Sequence, residues 1–175
     1  MLMKNKTFPK KEGYLMVEIF CAISISLIVM NIVTIMLKDS NNLVNQTDNR
    51  IEIMEQFSEM KSTIKRELRN SNNIKFYYKG NSIFLDNKFE RIDKIRFSQF
   101  EDVKNGNPVI INREMFLSRD KNKIFIYYNG GSFEIGNYVV DMEVRKESKD
   151  NFSIKLKLNK NNNNFSDIIN IRTRN

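Results

Sequence analysis

The sequence predicts an α+β fold in which one long N-terminal helix packs on an antiparallel β-sheet. Three observations support this prediction. No charged residue occurs from Ile19 to Leu37, helical spacing of apolar residues continues to about residue 68, and the apolar period changes to two further along the chain. The first half of the helix is therefore predicted to span a membrane, and its second half to be amphipathic.

The first element is an apolar helix at residues 14–37. Its 19 residues from Ile19 to Leu37 are uncharged, and as a helix they would extend roughly 28 Å, close to the thickness of a bilayer's hydrocarbon core. No cleavage site of small residues follows, as it would after a secretory signal. Four lysines precede the segment: Lys4, Lys6, Lys10 and Lys11. Because the residues after Lys38 are nearly neutral, the positive-inside rule predicts a single-pass protein with a cytoplasmic N-terminus and an extracytoplasmic C-terminal domain.

The second element is an amphipathic continuation of the helix over residues 38–72. Its apolar positions recur at spacings of three and four: Ile51, Met54, Phe57, Met60 or Lys61, Ile64 and Leu68. The DSNN sequence at 39–42 predicts a weak point in the helix, and the NSNN sequence at 70–73 predicts its end. Arg66, Glu67 and Arg69 near that end are interpreted as surface ion pairing or a cap onto the first strand.

The third element is an antiparallel β domain at residues 73–175. Apolar and polar residues alternate in two stretches, 140–145 and 151–158, which predicts half-buried strands. The apolar sets of these strands are Val140, Met142 and Val144, and Phe152, Ile154, Leu156 and Leu158.

Turn residues divide this domain into hairpins. The stretches IKFYYKGNSIF (74–84) and IFIYYNGGSF (124–133) each combine an aromatic strand with a Gly/Asn turn and a returning strand. KNNNN at 160–164 predicts a polar loop before a last short strand near residues 168–172.

Cysteine and histidine usage restricts the chemistry of the outer domain. The one cysteine, Cys21, lies in the apolar segment, where it is interpreted as a small helix residue, and the chain has no histidine. A disulfide, a thiol nucleophile, a Cys/His metal site and a histidine base are thereby excluded from that domain. Motifs of paired acids, activated nucleophiles or phosphate-binding glycines are also missing. The sequence predicts a protein that is not an enzyme and uses no cofactor or metal.

One acid, Glu18, lies next to the apolar run, where a charge is costly. It follows Gly13 by five residues in the string KKEGYLMVE, behind a short lysine-rich leader. This pattern resembles the prepilin signal of type IV pilins and type II secretion pseudopilins. In that family a membrane peptidase removes the leader, here residues 1–13, by cutting after the glycine, and methylates the new N-terminal amine, here that of Tyr14. The first mature residue of the family is usually Phe, so Tyr14 is a mild departure.

The resemblance makes Glu18 the predicted assembly residue. A new α-amine at Tyr14 would be mostly protonated near neutral pH and would lie one helical turn from Glu18. In a filament, Glu18 can instead pair with the Tyr14 amine of a neighbouring subunit, which relieves the buried charge only in the correct axial register. The same helix would serve as a membrane anchor before assembly and as the filament core afterwards. The alternative is an ordinary signal-anchored protein whose Glu18 reaches the membrane interface.

A weaker resemblance covers residues 57–76, FSEMKSTIKRELRNSNNIKF. This stretch is similar to J-class minor pseudopilins of type II secretion and to ComGF-like minor pseudopilins of Gram-positive DNA-uptake (competence) machines, and we favour the second. The resemblance implies a pilin-like fold and a minor structural subunit of a type IV pilus-like filament. The implied partners are other pilin or pseudopilin subunits, the prepilin peptidase, the assembly platform with its ATPase, and the membrane. After assembly the implied location is the cell surface or the pilus.

A rival hypothesis is a signal-anchored extracytoplasmic protein that binds DNA. Its candidate contacts lie on the two aromatic hairpins: Tyr77, Tyr78, Lys79, Tyr127 and Tyr128. Aromatic and basic surfaces suit single-stranded nucleic acid. A pair of tyrosines on a strand, however, usually places one ring in the core and the other at the surface.

Overall fold

The computed structural model describes residues 12–104, 107–148 and 150–173, so most of the predicted leader, residues 1–11, lies outside the described part. The chain divides into two compact units, Met1–Asn45 and Gln46–Asn175. Among the described residues, one helix, α1 (Glu12–Arg69), belongs to both units, and ten strands follow it. The α+β prediction is confirmed, because the helix packs on antiparallel sheets through its Gln46–Arg69 part.

Helix α1 is continuous through the DSNN sequence at 39–42, so the weak point predicted there is wrong. Each of these residues costs only a few tenths of a kcal/mol in helix propensity, which a long cooperative helix absorbs. The helix ends at Arg69 rather than at residue 72, and the first strand starts at Ser71. The Ser71 hydroxyl donates a hydrogen bond to the carbonyl of Glu67, which satisfies one of the free acceptors of the last turn.

The ten strands form two antiparallel sheets, whereas the sequence predicts one sheet without a strand order. In chain order they are β1 (Ser71–Tyr78), β2 (Asn81–Ile83), β3 (Glu90–Ile92), β4 (Lys94–Lys104), β5 (Asn107–Ser118), β6 (Lys123–Tyr128), β7 (Gly131–Gly136), β8 (Val139–Lys146), β9 (Asn151–Lys160) and β10 (Asn163–Arg172). The six-stranded sheet has the order β2-β1-β4-β5-β6-β7, and the four-stranded sheet has the order β10-β9-β8-β3. Asp93 separates β3 from β4, so the chain crosses from one sheet to the other at this residue.

Both predicted aromatic hairpins are confirmed. β1 and β2 are joined by Lys79 (φ +48°) and Gly80 (φ +84°), and β6 and β7 by Asn129 (φ +51°) and Gly130 (φ +80°). Two central residues with positive φ form a type I′ turn, whose twist matches that of the flanking strands.

The loop predicted at 160–164 is wrong. Asn161 (φ +49°) and Asn162 (φ +66°) form a third two-residue turn, and β10 starts immediately after it, at Asn163. Asparagine tolerates the left-handed region better than most residues, so an asparagine run can make a tight turn where its composition alone predicts a loop. The last strand is therefore ten residues long rather than confined to 168–172.

The core of the Gln46–Asn175 unit lies between α1 and the inner faces of the two sheets. The helix contributes one buried stripe: Ile53, Phe57, Met60, Ile64 and Leu68. The four apolar residues predicted on the inner face of β9 are all buried there. On β8, a bulge between Val139 and Asp141 interrupts the predicted alternation, so that Val139 is buried rather than Val140.

The start of the helical stripe differs from the prediction. Ile51 and Met54 are each 49% exposed, whereas Ile53 is 1% exposed. A step of three residues turns a helix by about 300°, which is roughly 60° short of a full turn. Ile51, Met54 and Phe57 therefore drift around the helix instead of sharing one face.

Candidate functional site

The apolar part of α1 is exposed, because no other described residues pack against it. Every described side chain from residue 14 to residue 45 is exposed, and the large apolar ones range from 48% exposed at Val33 to 81% at Tyr14. Among the described residues, this is the one helix long and apolar enough to cross a membrane. The chain is therefore consistent with a single-pass membrane protein.

Three polar side chains of this segment are satisfied by the helix itself. Ser24, Asn31 and Thr34 each donate a hydrogen bond to the carbonyl four residues earlier, over 2.8, 3.1 and 2.8 Å. Such back-bonding lets short polar side chains enter an apolar environment without an unpaired donor.

Glu18 differs from these residues. Its side chain is exposed, and no hydrogen bond or ion pair of its carboxylate is found within the described part of the chain. Gly13 is the second residue of α1, so cleavage after it would make Tyr14 the first residue of the helix. Tyr14 and Glu18 are four residues apart in α1, a rise of about 6 Å. An amine created at Tyr14 would thus lie one turn from the carboxylate.

The structure divides the residues predicted to contact nucleic acid between two faces of the six-stranded sheet. Tyr77 pairs with Lys94 across β1 and β4 and lies on the outer face, where the Arg96 guanidinium carbon is 5.0 Å from its ring centroid. Tyr127 is on the same face and is 45% exposed. Because β4 and β5 lie between β1 and β6, the two strands that carry these rings are roughly 14 Å apart. Lys79 is exposed in the β1–β2 turn.

Tyr78 and Tyr128 lie on the inner face, beside buried residues of the same strands. The ring of Tyr128 stacks on Phe133 at a centroid distance of 5.0 Å, and the guanidinium carbon of Arg113 is 4.7 Å from its centroid. The five residues therefore do not share one surface. As expected, one tyrosine of each pair lies on the inner face of the sheet and the other lies on the outer face.

The cluster at the end of α1 holds the fold together. The Glu67 carboxylate, 12% exposed, accepts a hydrogen bond from Arg113 Nη1 over 2.7 Å and a longer one from Gln99 Nε2 over 3.3 Å. Its backbone carbonyl accepts bonds from Gln99 and Ser71. These contacts tie the helix end to β1, β4 and β5. Of the predicted surface ion pairing or cap, the structure has the exposed Arg66 at 3.5 Å from Glu67 and the Ser71 bond to the helix end. The Glu67–Arg113 pair, by contrast, is mostly buried.

Asp141 is a charged site that sequence reasoning missed. Its side chain is 10% exposed and faces three cations: Arg91 at 2.7 Å, Arg119 at 3.3 Å and Lys157 at 3.8 Å. Burial raises the pKa of Asp141, but hydrogen bonding and attraction by Arg91, with Arg119 in addition, outweigh burial and hold the pKa below its ordinary value. The three cations come from distant parts of the sequence, so no local sequence motif predicts this ion-pair cluster.

Two features of the described chain thus bear on function. The uncovered apolar helix with Glu18 can insert into a membrane or pack against other helices, whereas the Glu67 and Asp141 clusters hold the helix and the sheets together. The chain matches no protein-family model, no curated protein and no solved structure.

Proposed function

We propose that this protein is a minor structural subunit, a pseudopilin, of a type IV pilus-like filament, in which it assembles through the N-terminal part of α1. The observation that carries the proposal is the exposure of the apolar residues of 14–37. Each large apolar side chain gains about 1.5–3 kcal/mol when it is removed from water. Such a helix needs lipid around it, or neighbouring helices, and a filament subunit uses the two in succession.

Glu18 supports the filament over a simple anchor. In an anchor, a carboxylate that has no partner among the described residues only costs free energy, at least a few kcal/mol if it lies deep in the bilayer. In a filament, the Tyr14 amine of a neighbouring subunit neutralises it. Ser24, Asn31 and Thr34 are satisfied within the helix, so these three do not compete with Glu18 as the residue that specifies register.

The residues around Glu18 also support proteolytic processing of the N-terminus. The resemblance of KKEGYLMVE to the prepilin signal supports cleavage after Gly13 and N-methylation of Tyr14 by a prepilin peptidase. It also supports assembly with other pseudopilins by a platform and its ATPase. The lysine-rich leader supports a cytoplasmic N-terminus, with the Gln46–Asn175 unit outside the membrane and then on the filament.

The system that we favour is a DNA-uptake machine, on the similarity of residues 57–76 to ComGF-like minor subunits. A minor pseudopilin of type II secretion has the same architecture and remains the alternative. Genes for partner subunits next to this one distinguish the two systems directly.

Substitution of Glu18 tests the proposal. Glu18→Val should leave membrane insertion intact but reduce incorporation into filaments by roughly a hundredfold, because the neighbouring amine loses a buried partner. The measurement is the ratio of this subunit in sheared filaments to that in membranes of the native cell. Thr34→Val is the matched control: Thr34 bonds within its own helix, so this variant should assemble normally. Normal incorporation of Glu18→Val would reject the assembly role.

A further inference from the structure

A basic groove lies between the last turns of α1 and the end of β10. It has a volume of about 500 Å³, and buried Ile171 forms part of its wall. Its polar lining consists of four cationic and two amide side chains: Lys65, Arg66, Arg69, Arg172, Asn70 and Asn170. The helix dipole accounts for cations in the last turn of α1, but it does not account for Arg172, which comes from another element.

The charge of this groove is only partly neutralised by nearby acids. No acidic residue is among the described residues that line it. The two acids closest in the sequence to its lining are both paired, Glu67 with Arg113 at 2.7 Å and Asp167 with Lys61 at 3.5 Å. Arg66 also approaches Glu67, at 3.5 Å, but its side chain stays 71% exposed. The groove is therefore a cationic concavity with amide donors, which suits the oxygens of phosphate groups.

A second cavity adjoins the basic groove. It has a volume of about 620 Å³, and its lining includes Ser71 and Thr173, which directly follow the groove residues Asn70 and Arg172. One of its lining residues is unusual, because the Phe84 side chain is 96% exposed. An exposed aromatic ring can stack on a planar group.

We propose that the two adjoining concavities bind a single nucleic-acid strand. The phosphates lie in the basic groove, and an unstacked base lies against Phe84. This combination of a cationic groove and an aromatic platform is what single-strand binding requires. A duplex fits less well because its bases are stacked inside it, and a free phosphate would leave the aromatic cavity unused. The site differs from the tyrosine hairpins, and it goes beyond the filament role.

Binding is measured with the full-length protein in zwitterionic detergent micelles and a fluorescent oligothymidine, by anisotropy over a range of salt concentrations. Arg69→Gln with Arg172→Gln should weaken binding and lower the slope of log K against log salt by about 1.4, because each phosphate contact on a single strand contributes about 0.7. Lys88→Gln with Lys121→Gln is the matched control. Both control lysines are exposed and lie outside the groove, and the charge change is the same.

A second variant tests the aromatic part independently of charge. Phe84→Ala should weaken binding roughly fivefold or more without changing the salt slope, because stacking does not release counterions. Since Phe84 is almost wholly exposed, its loss should not affect folding. Phe100→Ala removes another exposed ring, 58% exposed on β4, and should have no effect.

Several results would overturn the proposal. One is a failure of the unaltered protein to bind the oligothymidine at low salt. Equal losses of affinity in the charge variant and its control, or full displacement of the oligothymidine by inorganic phosphate at matched ionic strength, would also overturn it. Stronger binding of duplex than of single strand, or competition by phosphatidylglycerol vesicles but not by phosphatidylcholine vesicles, would also reject a single-strand site. The measurement needs no filament, so failure of the filament proposal would leave its result unaffected.

Discussion

Asp141 and Glu18 are two carboxylates that the chain treats in opposite ways. Asp141 is almost buried and is surrounded by three cations of its own chain. Glu18 has no partner within the described residues and lies on a helix face with nothing packed over it. Asp141 therefore contributes to the stability of this fold. In the proposed filament, Glu18 acquires a partner through processing of the terminus or through another chain.

Asp141→Asn should reduce the free energy of unfolding by about 1–3 kcal/mol at neutral pH, because three cations lose their common counter-charge. The folded pKa of Asp141 is below its unfolded value of about 3.9. Its contribution is therefore fully present above that value and is lost as the pH falls through the folded pKa. The difference between the unaltered protein and the variant should be constant above about pH 5 and should shrink below about pH 4.

Urea denaturation of the full chain in micelles at several pH values measures this difference. Asp167→Asn is the control: Asp167 is 46% exposed and makes one ion pair at 3.5 Å, so its loss should cost less than about 0.5 kcal/mol. Equal stabilities of the two variants would show that Asp141 is not the centre of an ion network.

Gly136 is required because its neighbour Met60 occupies the space of a side chain. A Cβ at Gly136 would lie 1.9 Å from Sδ of Met60, which is fully buried. Gly136→Ala should therefore destabilise the protein by about 1–3 kcal/mol through overpacking. The matched change Gly131→Ala meets only an ordinary contact, at 3.4 Å from Phe133, and should stay within about 0.5 kcal/mol.

A double-mutant cycle identifies the cause. Met60→Ala alone should cost about 2–5 kcal/mol by creating a cavity. Combined with Gly136→Ala, it should cost clearly less than the sum, because the new methyl group occupies part of that cavity. Simple additivity of the two losses would contradict the packing explanation.

Two hairpins of the six-stranded sheet use the same turn with different residues. Lys79-Gly80 and Asn129-Gly130 both form type I′ turns with positive φ at each position. Asparagine enters the left-handed region more easily than lysine. Lys79→Asn should therefore increase the free energy of unfolding by about 0.5 kcal/mol and raise the thermal midpoint slightly. Asn129→Lys should decrease the free energy of unfolding by a similar amount and lower the midpoint.

Thermal unfolding of the two single variants and of the double exchange tests this prediction. Because β4 and β5 lie between the two hairpins in the sheet, the two effects should add and nearly cancel in the double variant. A stabilising Asn129→Lys would contradict the turn assignment.

At the level of elements, sequence patterns correctly predict the features that depend on interactions between residues close together in the sequence. The apolar segment, the alternation at 151–158 and the two Gly-containing turns each depend on residues close together in the sequence, and the structure has them. The burial of Ile53 rather than Ile51 could not be read from spacing alone, because successive steps of three drift around a helix. The Asn161-Asn162 turn was missed because asparagine favours both loops and left-handed turns.

At the level of the whole molecule, the α+β class followed from the change of period, but the division into two sheets did not. The switch at Asp93, the bond between Glu67 and Arg113, and the approach of Arg172 to the end of α1 all join residues far apart in the sequence. Such pairings depend on the register of strands, and a single sequence carries no signal of them. For Glu18, by contrast, the flanking sequence itself suggests the function.

The most direct test of the filament proposal is intact-mass and N-terminal peptide analysis of the protein isolated from its own cells. The proposal predicts a chain that begins at Tyr14 with a methylated α-amine and lacks residues 1–13. A chain that still begins at Met1 would contradict it, because the amine that Glu18 needs would not exist at Tyr14.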